Sequence, residues 1–448
     1  MLATKAEPME VLRRWQERSR ESQKLLKKAK GLLPMGVGSH FRAIDPNPIF
    51  VDRAKGTKIW DADGNEYIDF AMCFGALFVG HAHPKIVEAV SAQVREGTMY
   101  TMPHKWEAAL AQNLIERFPM DMARFTNSGT ESTMHAIRVA RSVTKRKIII
   151  KFAGCYHGCH DQLLASVKPD IEKLGGRNAP NLVPSSTGIP EETLQNTRVA
   201  SFNNLDSVKR IFKENPNQIA AAIIEPAGLN MGICLPQDNF LKKLQDLCHE
   251  NGALFILDEV KTGAKIAKGG ACEYFRLKPD LICLAKAIGG GLPLGAFGGI
   301  QKVMSALEDF SLLHVGTYNT NPLCMRAGYV TCAEILTDDV YPKTAALSKK
   351  LADGYDRIIK TNKLPWHTRL LGPMGTISFT QKPISDYHDW STTDVQVWKK
   401  YWFGMCNEGV IPTPYGWDEQ WTISVQHTQT DIEAHLAAFE KVAPTLKD

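Results

Sequence analysis

The sequence predicts an α/β fold, with a large domain whose mostly parallel central sheet is wrapped by helices and a smaller α+β domain. In the middle of the chain, apolar runs without polar alternation alternate with helical stretches, which is typical of strands covered on both faces. The runs are residues 147–152, 219–224, 253–257, 281–285 and 296–300. A length of 448 residues suits a large core with one or two smaller lobes.

The chain begins with an amphipathic pattern over residues 8–30, where apolar side chains recur at helical spacing among charged ones. Gly31 and Pro34 end the pattern. We expect an exposed helical arm. Its apolar positions are Met9, Leu12, Trp15, Leu25 and Leu26.

Short strand candidates near both ends of the chain predict the smaller domain. Residues 57–61 and 67–70 flank a turn at 63–65, which indicates an antiparallel hairpin preceded by a strand over 48–51. Helical patterns dominate after Pro322, followed by strand candidates over 375–380 and 421–425. We therefore expect an N-terminal arm and part of the small domain over 1–75, the large domain over 76–325, and the C-terminal small domain over 326–448.

Composition excludes several classes of protein. The chain is 44% hydrophobic and 23% charged, as in folded globular proteins. The formal net charge of +5 comes from scattered basic residues, so we expect no nucleic-acid partner. No apolar run reaches the roughly 18 residues of a membrane span, and the ten cysteines lack the spacing of a disulfide scaffold. We expect a cytoplasmic protein with no membrane partner.

The first chemical feature is a predicted helix start at residues 126–131. Asn127 or Ser128 can cap the helix, and the glycine-containing turn of Ser128, Gly129 and Thr130 leaves backbone N–H groups pointing outward. Such a turn can hold a phosphate. Taken alone, the turn is better explained as a plain helix cap, because caps are far commoner than anion sites.

The second and third features are charged residues at the ends of apolar runs. Asp258 ends a predicted buried strand, where ligands of open α/β sheets bind, although it could also cap a following helix. Lys286 ends another such run, where desolvation lowers a lysine pKa and frees the amine as a nucleophile; the alternative is a lysine that reaches solvent at the sheet edge. A phosphate site, a buried carboxylate and a desolvated lysine together are what a pyridoxal phosphate enzyme requires.

The segment 155–160 allows a metal interpretation, because Cys155, His157, Cys159 and His160 lie within six positions. Residues so close in sequence seldom all point at one ion. We expect no metal.

The sequence resembles the class III aminotransferases of fold type I, and within them the glutamate-1-semialdehyde aminomutase branch. The resemblance extends from about residue 33 to 439, and the matching motifs are residues 60–69, 80–84, 127–131, 154–158, 225–226, 230–232, 258–260, 285–291 and 314–317. It implies the PLP-dependent transferase fold type I, with a small domain formed by both terminal segments, and pyridoxal 5'-phosphate as cofactor.

The resemblance also implies roles for individual residues. Lys286 would be the Schiff-base and proton-transfer lysine, Asp258 the partner of the pyridine nitrogen, and Tyr156 the third catalytic residue, stacked on the ring. Further cofactor-binding residues would be Ser128, Gly129 and Thr130 at the phosphate, Val260 beneath the ring, Asn230 near the phenolic oxygen, His157 beside Tyr156, and Thr317 from the partner chain of a homodimer with shared active sites.

The substrate side is implied by two further positions. Arg42 matches the arginine with which the aminomutase branch binds a substrate carboxylate, or it is a structural surface residue. Glu419 falls where that branch has a gating glutamate. Residues 262–265 and 316–322 depart from the aminomutase pattern, and the second segment is closer to intermolecular transaminases.

These departures favour a ping-pong aminotransferase that moves an amino group between an α- or β-amino acid or amine donor and an oxo acid or aldehyde acceptor. The alternatives are glutamate-1-semialdehyde 2,1-aminomutase or another PLP-dependent isomerase or racemase. A non-catalytic homologue would have lost Lys286 or Asp258, and both are present.

Overall fold

The computed structural model describes residues 10–447, so Met9 of the predicted N-terminal helix lies outside the described residues. The strands are β1 (Val51–Lys55), β2 (Lys58–Asp61), β3 (Glu66–Asp69), β4 (Met122–Thr126), β5 (Ile148–Phe152), β6 (Gly175–Gly176), β7 (Ala179–Pro180), β8 (Thr197–Ala200), β9 (Ile219–Ile224), β10 (Leu254–Asp258), β11 (Leu281–Leu284), β12 (Gly295–Gly299), β13 (His367–Leu371), β14 (Met374–Ser378), β15 (Val410–Ile411) and β16 (Trp421–Thr422).

The helices alternate with these strands through the middle of the chain. They are α1 (Glu10–Arg18), α2 (Arg20–Ala29), α3 (Met72–Gly75), α4 (Pro84–Glu96), α5 (Lys105–Arg117), α6 (Gly129–Thr144), α7 (Ile171–Leu174), α8 (Glu191–Leu194), α9 (Leu205–Glu214), α10 (Phe240–Glu250), α11 (Gly270–Tyr274), α12 (Gln301–Met304), α13 (Pro322–Val330), α14 (Val340–Thr361), α15 (Tyr387–Trp390), α16 (Val395–Asn407) and α17 (Gln429–Val442). None of the helices in residues 10–447 is long and apolar enough to cross a membrane.

A seven-stranded sheet forms the centre of the large domain, in the order β4-β12-β11-β10-β9-β5-β8. Neighbours from β11 to β8 are parallel, and β12 is antiparallel to both of its neighbours. Strands β5, β9, β11 and β12 are buried along their whole length, which explains their unbroken apolar sequences. The mostly parallel sheet predicted from the sequence is confirmed.

The two edge strands of this sheet, β4 and β8, are not among the predicted strands. Each carries an arginine, Arg124 in β4 and Arg198 in β8, and has half-buried positions. An edge strand faces water on one side, so it lacks the apolar run that identifies a central strand.

The two ends of the chain build a second core together. Strand β15 pairs with β3, and the resulting sheet has the order β1-β2-β3-β15, so the predicted hairpin is confirmed within a larger sheet. Trp15 of α1 packs on Trp402 and Phe403 of α16, with ring centroids 5.9 and 5.3 Å apart. A separate antiparallel sheet, β13-β14-β16, completes this region.

The prediction of one exposed N-terminal helix is wrong in two respects. The helix breaks at Ser19 into α1 and α2, and the hydroxyl of Ser19 donates to the carbonyl of Trp15 over 2.7 Å. The side chain of Trp15 is fully buried, and its indole N–H donates to the carbonyl of Asn47. Burial of one large aromatic side chain decides the position of this arm.

The predicted domain boundaries stay predictions. The apolar core around the seven-stranded sheet begins at Phe78 and includes Tyr341, Leu371 and Trp390. The second core includes residues from Trp15 to Leu446.

We expect Gly375→Ala in β14 to destabilise the fold by about 1–3 kcal/mol, because an added Cβ would lie 2.1 Å from the ring of Trp421, which is fully buried. Gly176→Ala is the matched control, since a Cβ there meets nothing within 4 Å. Urea unfolding followed by tryptophan fluorescence measures both. Equal midpoints for the two variants would contradict the close contact.

Candidate active site

All but two of the predicted site residues line one cavity of about 470 Å³ at the carboxyl end of the central sheet. These residues are Ser128, Gly129, Thr130, Tyr156, His157, Asn230, Asp258, Val260, Lys286 and Glu419. All of them except Glu419 lie at or after the ends of β4, β5, β9, β10 and β11, whereas Glu419 lies near the end of the chain. Parallel strands place their carboxyl ends at one edge, which brings these distant segments together.

Asp258 ends β10 with its carboxylate in a buried hydrogen-bond pair. The Nδ1 of His157 donates to Oδ2 of Asp258 over 2.6 Å, and the backbone N–H of Val260 donates to Oδ1 over 3.0 Å. Burial lowers the pKa of His157, although Asp258 opposes that effect. The next helix along the chain is α11, which begins at Gly270, so no helix begins directly after Asp258. The helix-cap alternative is therefore wrong for Asp258.

The predicted phosphate turn lies at the start of α6. The hydroxyl of Ser128 accepts from the N–H of Glu131 over 3.2 Å, so Ser128 and not Asn127 is the capping residue. The first N–H groups of this 16-residue helix have no acceptor within the helix, and Ser128, Gly129 and Thr130 at its start line the cavity. A Cβ on Gly129 would lie 2.9 Å from both methyl groups of Val260, so glycine keeps this wall open.

A second glycine lets another segment approach the same helix start. Gly158 has a φ of +97°, and a Cβ there would lie 2.6 Å from Cα of Thr130. The hydroxyl of Thr133 donates to the carbonyl of His157 over 2.6 Å, and the N–H of Cys159 donates to the hydroxyl of Thr130. These contacts hold Tyr156 and His157 against the phosphate turn.

Lys286 lies two positions after the end of β11 and has a φ of +51°, which is unusual for a residue with a side chain. Burial and, to a smaller extent, the positive charge of Lys261 lower the pKa of Lys286 to about 8, although the charges of Glu419 and Asp258 oppose both effects. The amine is therefore partly neutral near pH 8. The alternative of a lysine that reaches solvent at the sheet edge does not match its place in the cavity wall.

Lys261, which lines the cavity three positions after Asp258, is not among the residues predicted from the sequence. Its ammonium lies 3.1 Å from Oε2 of Glu419 in a buried ion pair, and the amide of Gln420 donates to the same carboxylate. Burial lowers the pKa of Lys261, but Glu419 and Glu225 more than compensate and raise it above the ordinary value. Lys261 is therefore a charged neighbour of Lys286.

Glu225 is a second cavity residue to which the sequence assigned no role. It follows β9, is buried, and accepts the N–H of Tyr156 over 2.9 Å. Burial raises the pKa of Glu225 to about 7, although Lys261 opposes the rise. The sequence signal that could have identified Glu225 was its place in the matching motif at residues 225–226.

Asn230 lines the cavity, and one of the two polar atoms of its side-chain amide has a hydrogen-bond partner. Its Nδ2 donates to Asp418 over 3.1 Å, and Asp418 also pairs with Lys168 at 2.7 Å. The buried Oδ1 of Asn230 has no hydrogen-bond partner within residues 10–447. A buried polar atom without a partner indicates a place for a ligand group.

Arg42 and Thr317 are the two predicted site residues that do not line this cavity. Arg42 lines a neighbouring cavity of about 510 Å³, which shares Phe41, Cys73 and Phe74 with the first. Thr317 lies in an exposed turn of the chain.

The segment 155–160 shows no arrangement for a metal. His157 is directed to Asp258, and Cys159 lies on the surface with its Sγ 2.9 Å from the hydroxyl of Tyr156. Among residues 10–447, no group of three or more His, Cys, Asp or Glu side chains is placed to hold an ion.

The cavity fits a phosphorylated pyridine aldehyde. It offers an amine with a lowered pKa, a buried carboxylate, a helix start with a glycine that a Cβ would fill, and an unpartnered amide oxygen. These groups match the aldehyde, the ring nitrogen, the phosphate and a ring substituent of one small molecule.

Comparison with known proteins agrees with this fit. The model of the family described as aminotransferase class-III matches residues 41–434. A glutamate-1-semialdehyde 2,1-aminomutase from Syntrophobacter fumaroxidans is 40% identical over 419 residues, which cover 92% of this chain and 95% of that protein.

Two solved structures are similar over almost the whole chain. The ω-transaminase from Sphaerobacter thermophilus has a TM-score of 0.91 and 32% identity, covering 95% of this chain and 98% of that one. The β-phenylalanine aminotransferase from Variovorax paradoxus has a TM-score of 0.84 and 27% identity, covering 96% of this chain and 95% of that one. The predicted fold type I is confirmed. The chain therefore belongs to the class III aminotransferase family, and its cofactor is pyridoxal 5'-phosphate.

Proposed function

We propose that the protein is an aminotransferase that moves an amino group between an α- or β-amino acid or amine donor and an oxo acid or aldehyde acceptor in a ping-pong reaction. The observation that carries the proposal is the meeting of Lys286 and Asp258 in one cavity, where the amine has a pKa of about 8 and the carboxylate is buried. The two similar structures, which are those of a transaminase and an aminotransferase, support it.

When bound, pyridoxal 5'-phosphate supplies an aldehyde that reacts with amines and a ring that accepts the electron pair left when a Cα–H bond breaks. Lys286 would hold the aldehyde end. The carboxylate of Asp258 would keep a proton on the ring nitrogen, and His157 fixes the direction of that carboxylate through the 2.6 Å hydrogen bond. The start of α6 would bind the phosphate with backbone N–H groups.

Proton transfer is the remaining task of the chain. A general base works best when its pKa is close to the working pH, and Lys286 meets that condition. Its neutral amine would take the proton from the substrate Cα and return it two bonds away, at the aldehyde carbon of the cofactor. Tyr156 and Val260 line the cavity and would fix the plane of the ring between them.

We propose a homodimer with shared active sites, because Thr317 lies outside the cavity of its own chain. Near it, Phe310, Val315 and Tyr318 are 92%, 73% and 66% exposed, which is costly for apolar side chains in water. A second copy that covers this segment would carry its Thr317 to the phosphate.

The second candidate is a glutamate-1-semialdehyde 2,1-aminomutase, because several relatives carry that name. The position of Glu419 in the cavity also favours it, whereas the ion pair with Lys261 restrains that carboxylate. Single-turnover spectra with a panel of α-amino acids, β-amino acids and amines separate the two functions. In an aminotransferase, a donor alone converts the cofactor to its aminated form. A separate acceptor is then needed to restore the aldehyde form. Conversion of glutamate-1-semialdehyde to its amino-ketone isomer without any acceptor would select the aminomutase.

We expect Lys286→Ala to abolish turnover, since loss of proton transfer alone costs roughly 10²- to 10⁴-fold. Lys286→Arg keeps a cation but lacks the nucleophilic amine, so it should be equally inactive. Lys302→Ala, in the short helix α12, is the control. Visible absorption and steady-state rates are the measurements. Normal turnover in Lys286→Ala would remove the proposal.

We expect Asp258→Asn to keep the cofactor but to slow Cα–H cleavage by several orders of magnitude, because an amide does not hold a proton on the ring nitrogen. Rapid-mixing absorbance with a saturating donor gives the rate. A decrease of less than about tenfold, roughly 1.4 kcal/mol, would show that Asp258 is only structural.

We expect the charges around Lys286 to shift the pH at which it reacts. Cofactor-free enzyme should regain visible absorption on addition of pyridoxal 5'-phosphate with a rate that rises with pH and has its midpoint near the Lys286 pKa of about 8. Lys261→Met should move the midpoint to higher pH, and Glu419→Gln to lower pH, since the first removes a positive charge and the second a negative one. Lys261→Arg should leave it unchanged. Shifts in the same direction for both neutral variants would contradict this assignment.

A further inference from the structure

A cavity of about 300 Å³ lies beside α6 and shares no lining residue with the cofactor cavity within residues 10–447. Met134, Arg138 and Arg141 form one of its sides, and their spacing places the three side chains on one face of α6. Residues 160–162 and Thr193 complete the walls. The volume is at the lower end of the range for small-molecule sites, which is roughly 300 to 1,000 Å³.

The two arginines of this cavity donate only to neutral groups in the described part of the chain. The acceptors are Nδ1 of His135 and the carbonyl of Leu313 for Arg138, and the carbonyl of Lys147 and the side-chain oxygen of Gln162 for Arg141. Burial lowers the pKa of Arg141, and like charges three positions apart on a helix repel each other. An anion bound between the two guanidiniums would offset both effects.

The acidic residue in the cavity wall does not supply the missing charge. Asp161 is exposed, and no ion pair joins it to Arg138 or Arg141 within residues 10–447. Two positive charges against one negative charge leave the cavity positive. The walls therefore favour an anion over a neutral ligand or a cation.

His160 adds a hydrogen-bond acceptor to the same cavity. The hydroxyl of Thr133 donates its proton to the carbonyl of His157 over 2.6 Å, so it accepts from Nε2 of His160 at 3.3 Å. Burial lowers the pKa of His160 to about 4, so the ring is neutral and its Nδ1 carries no proton. This Nδ1 is buried and has no hydrogen-bond partner in the described chain. An unpartnered acceptor beside two cations indicates a ligand that carries both negative charge and a proton.

We infer that this cavity binds the hydrogen phosphate ion. Its charged oxygens would accept from Arg138 and Arg141, and its protonated oxygen would donate to Nδ1 of His160. Near pH 8, inorganic phosphate is a dianion that keeps one proton, whereas sulfate and a phosphate monoester keep none. The inference does not rest on the proposed function, because the residues that would hold the ion lie outside the cofactor cavity.

The test is calorimetry near pH 8 on the enzyme loaded with pyridoxal 5'-phosphate, so that the cofactor fills its own phosphate site. The titrants are inorganic phosphate, sulfate, methyl phosphate and acetate. Phosphate should bind about tenfold more tightly than sulfate or methyl phosphate, because these two leave the acceptor of His160 without a partner. Acetate, with a single charge, should bind more weakly still. Equal affinities for phosphate and sulfate, or no saturable binding of phosphate, would overturn the inference.

Variants with opposite expected effects identify the site. Arg138→Gln and Arg141→Gln should each weaken phosphate binding about tenfold or more, whereas Asp161→Asn should strengthen it because a negative charge is removed. His160→Phe should abolish the preference for phosphate over sulfate. Arg95→Gln, on the exposed side of α4, is the matched control and should bind as the unchanged protein does. Normal phosphate binding in both cavity arginine variants, or weaker binding in Asp161→Asn, would overturn the inference.

A carboxylate of a second copy is the competing occupant, because Arg138 donates to the carbonyl of Leu313, in the segment that we propose a second copy covers. Sedimentation at several protein concentrations separates the two. If phosphate holds the arginines, Arg138→Gln and Arg141→Gln should leave the dissociation constant of the dimer unchanged while phosphate binding falls. A weaker dimer in both variants, with no phosphate binding to the unchanged protein, would assign the arginines to the subunit interface and overturn the inference.

Discussion

The cofactor site depends on how a carboxylate is kept in an apolar sheet. Asp258 lies at the end of β10, where the chain on either side is buried, and an isolated charge there would be very costly. The N–H of Val260 and the ring of His157 supply its hydrogen bonds. His157 is held in turn by the contacts between its segment and the start of α6. The hydrogen bond between Asp258 and His157 therefore joins the ends of β10 and β5, and the bond from Thr133 to His157 adds the helix that follows β4.

The same balance of burial and charge governs the lysines. Lys261, Lys265 and Lys286 lie close enough to affect one another's pKa. The cost of burying a positive charge is offset to a different extent at each of them. Lys261 has a buried carboxylate partner and stays charged. Lys265 has a buried Nζ without a partner in the described part of the chain, and burial lowers its pKa far below the ordinary value. Lys286 lies between these extremes, as a reactive amine requires.

The sequence was sufficient for the parts that follow strand ends. Asp258 and Lys286 each lie at the end of an apolar run, so their meeting could be predicted from the rule for parallel sheets, and Ser128 stands directly before a predicted helix. The edge strands β4 and β8 could not be predicted, because polar side chains interrupt the apolar run that identifies a central strand. Trp15 was predicted to lie on an exposed helix, since no local signal shows that Trp402 and Phe403, almost four hundred positions later, cover it.

The difference has a physical reason that separates chemistry from specificity in this fold. The groups that we propose to act on the cofactor are placed by the sheet, whose geometry is encoded locally in each strand. The neighbouring cavity, which Arg42 lines, has walls from residues 29–81 and 402–415. These two segments meet only because both ends of the chain share one core. Its shape is therefore a product of tertiary packing. Substitutions in these terminal segments can therefore change the shape of this cavity without disturbing Asp258 or Lys286, which are placed by the central sheet.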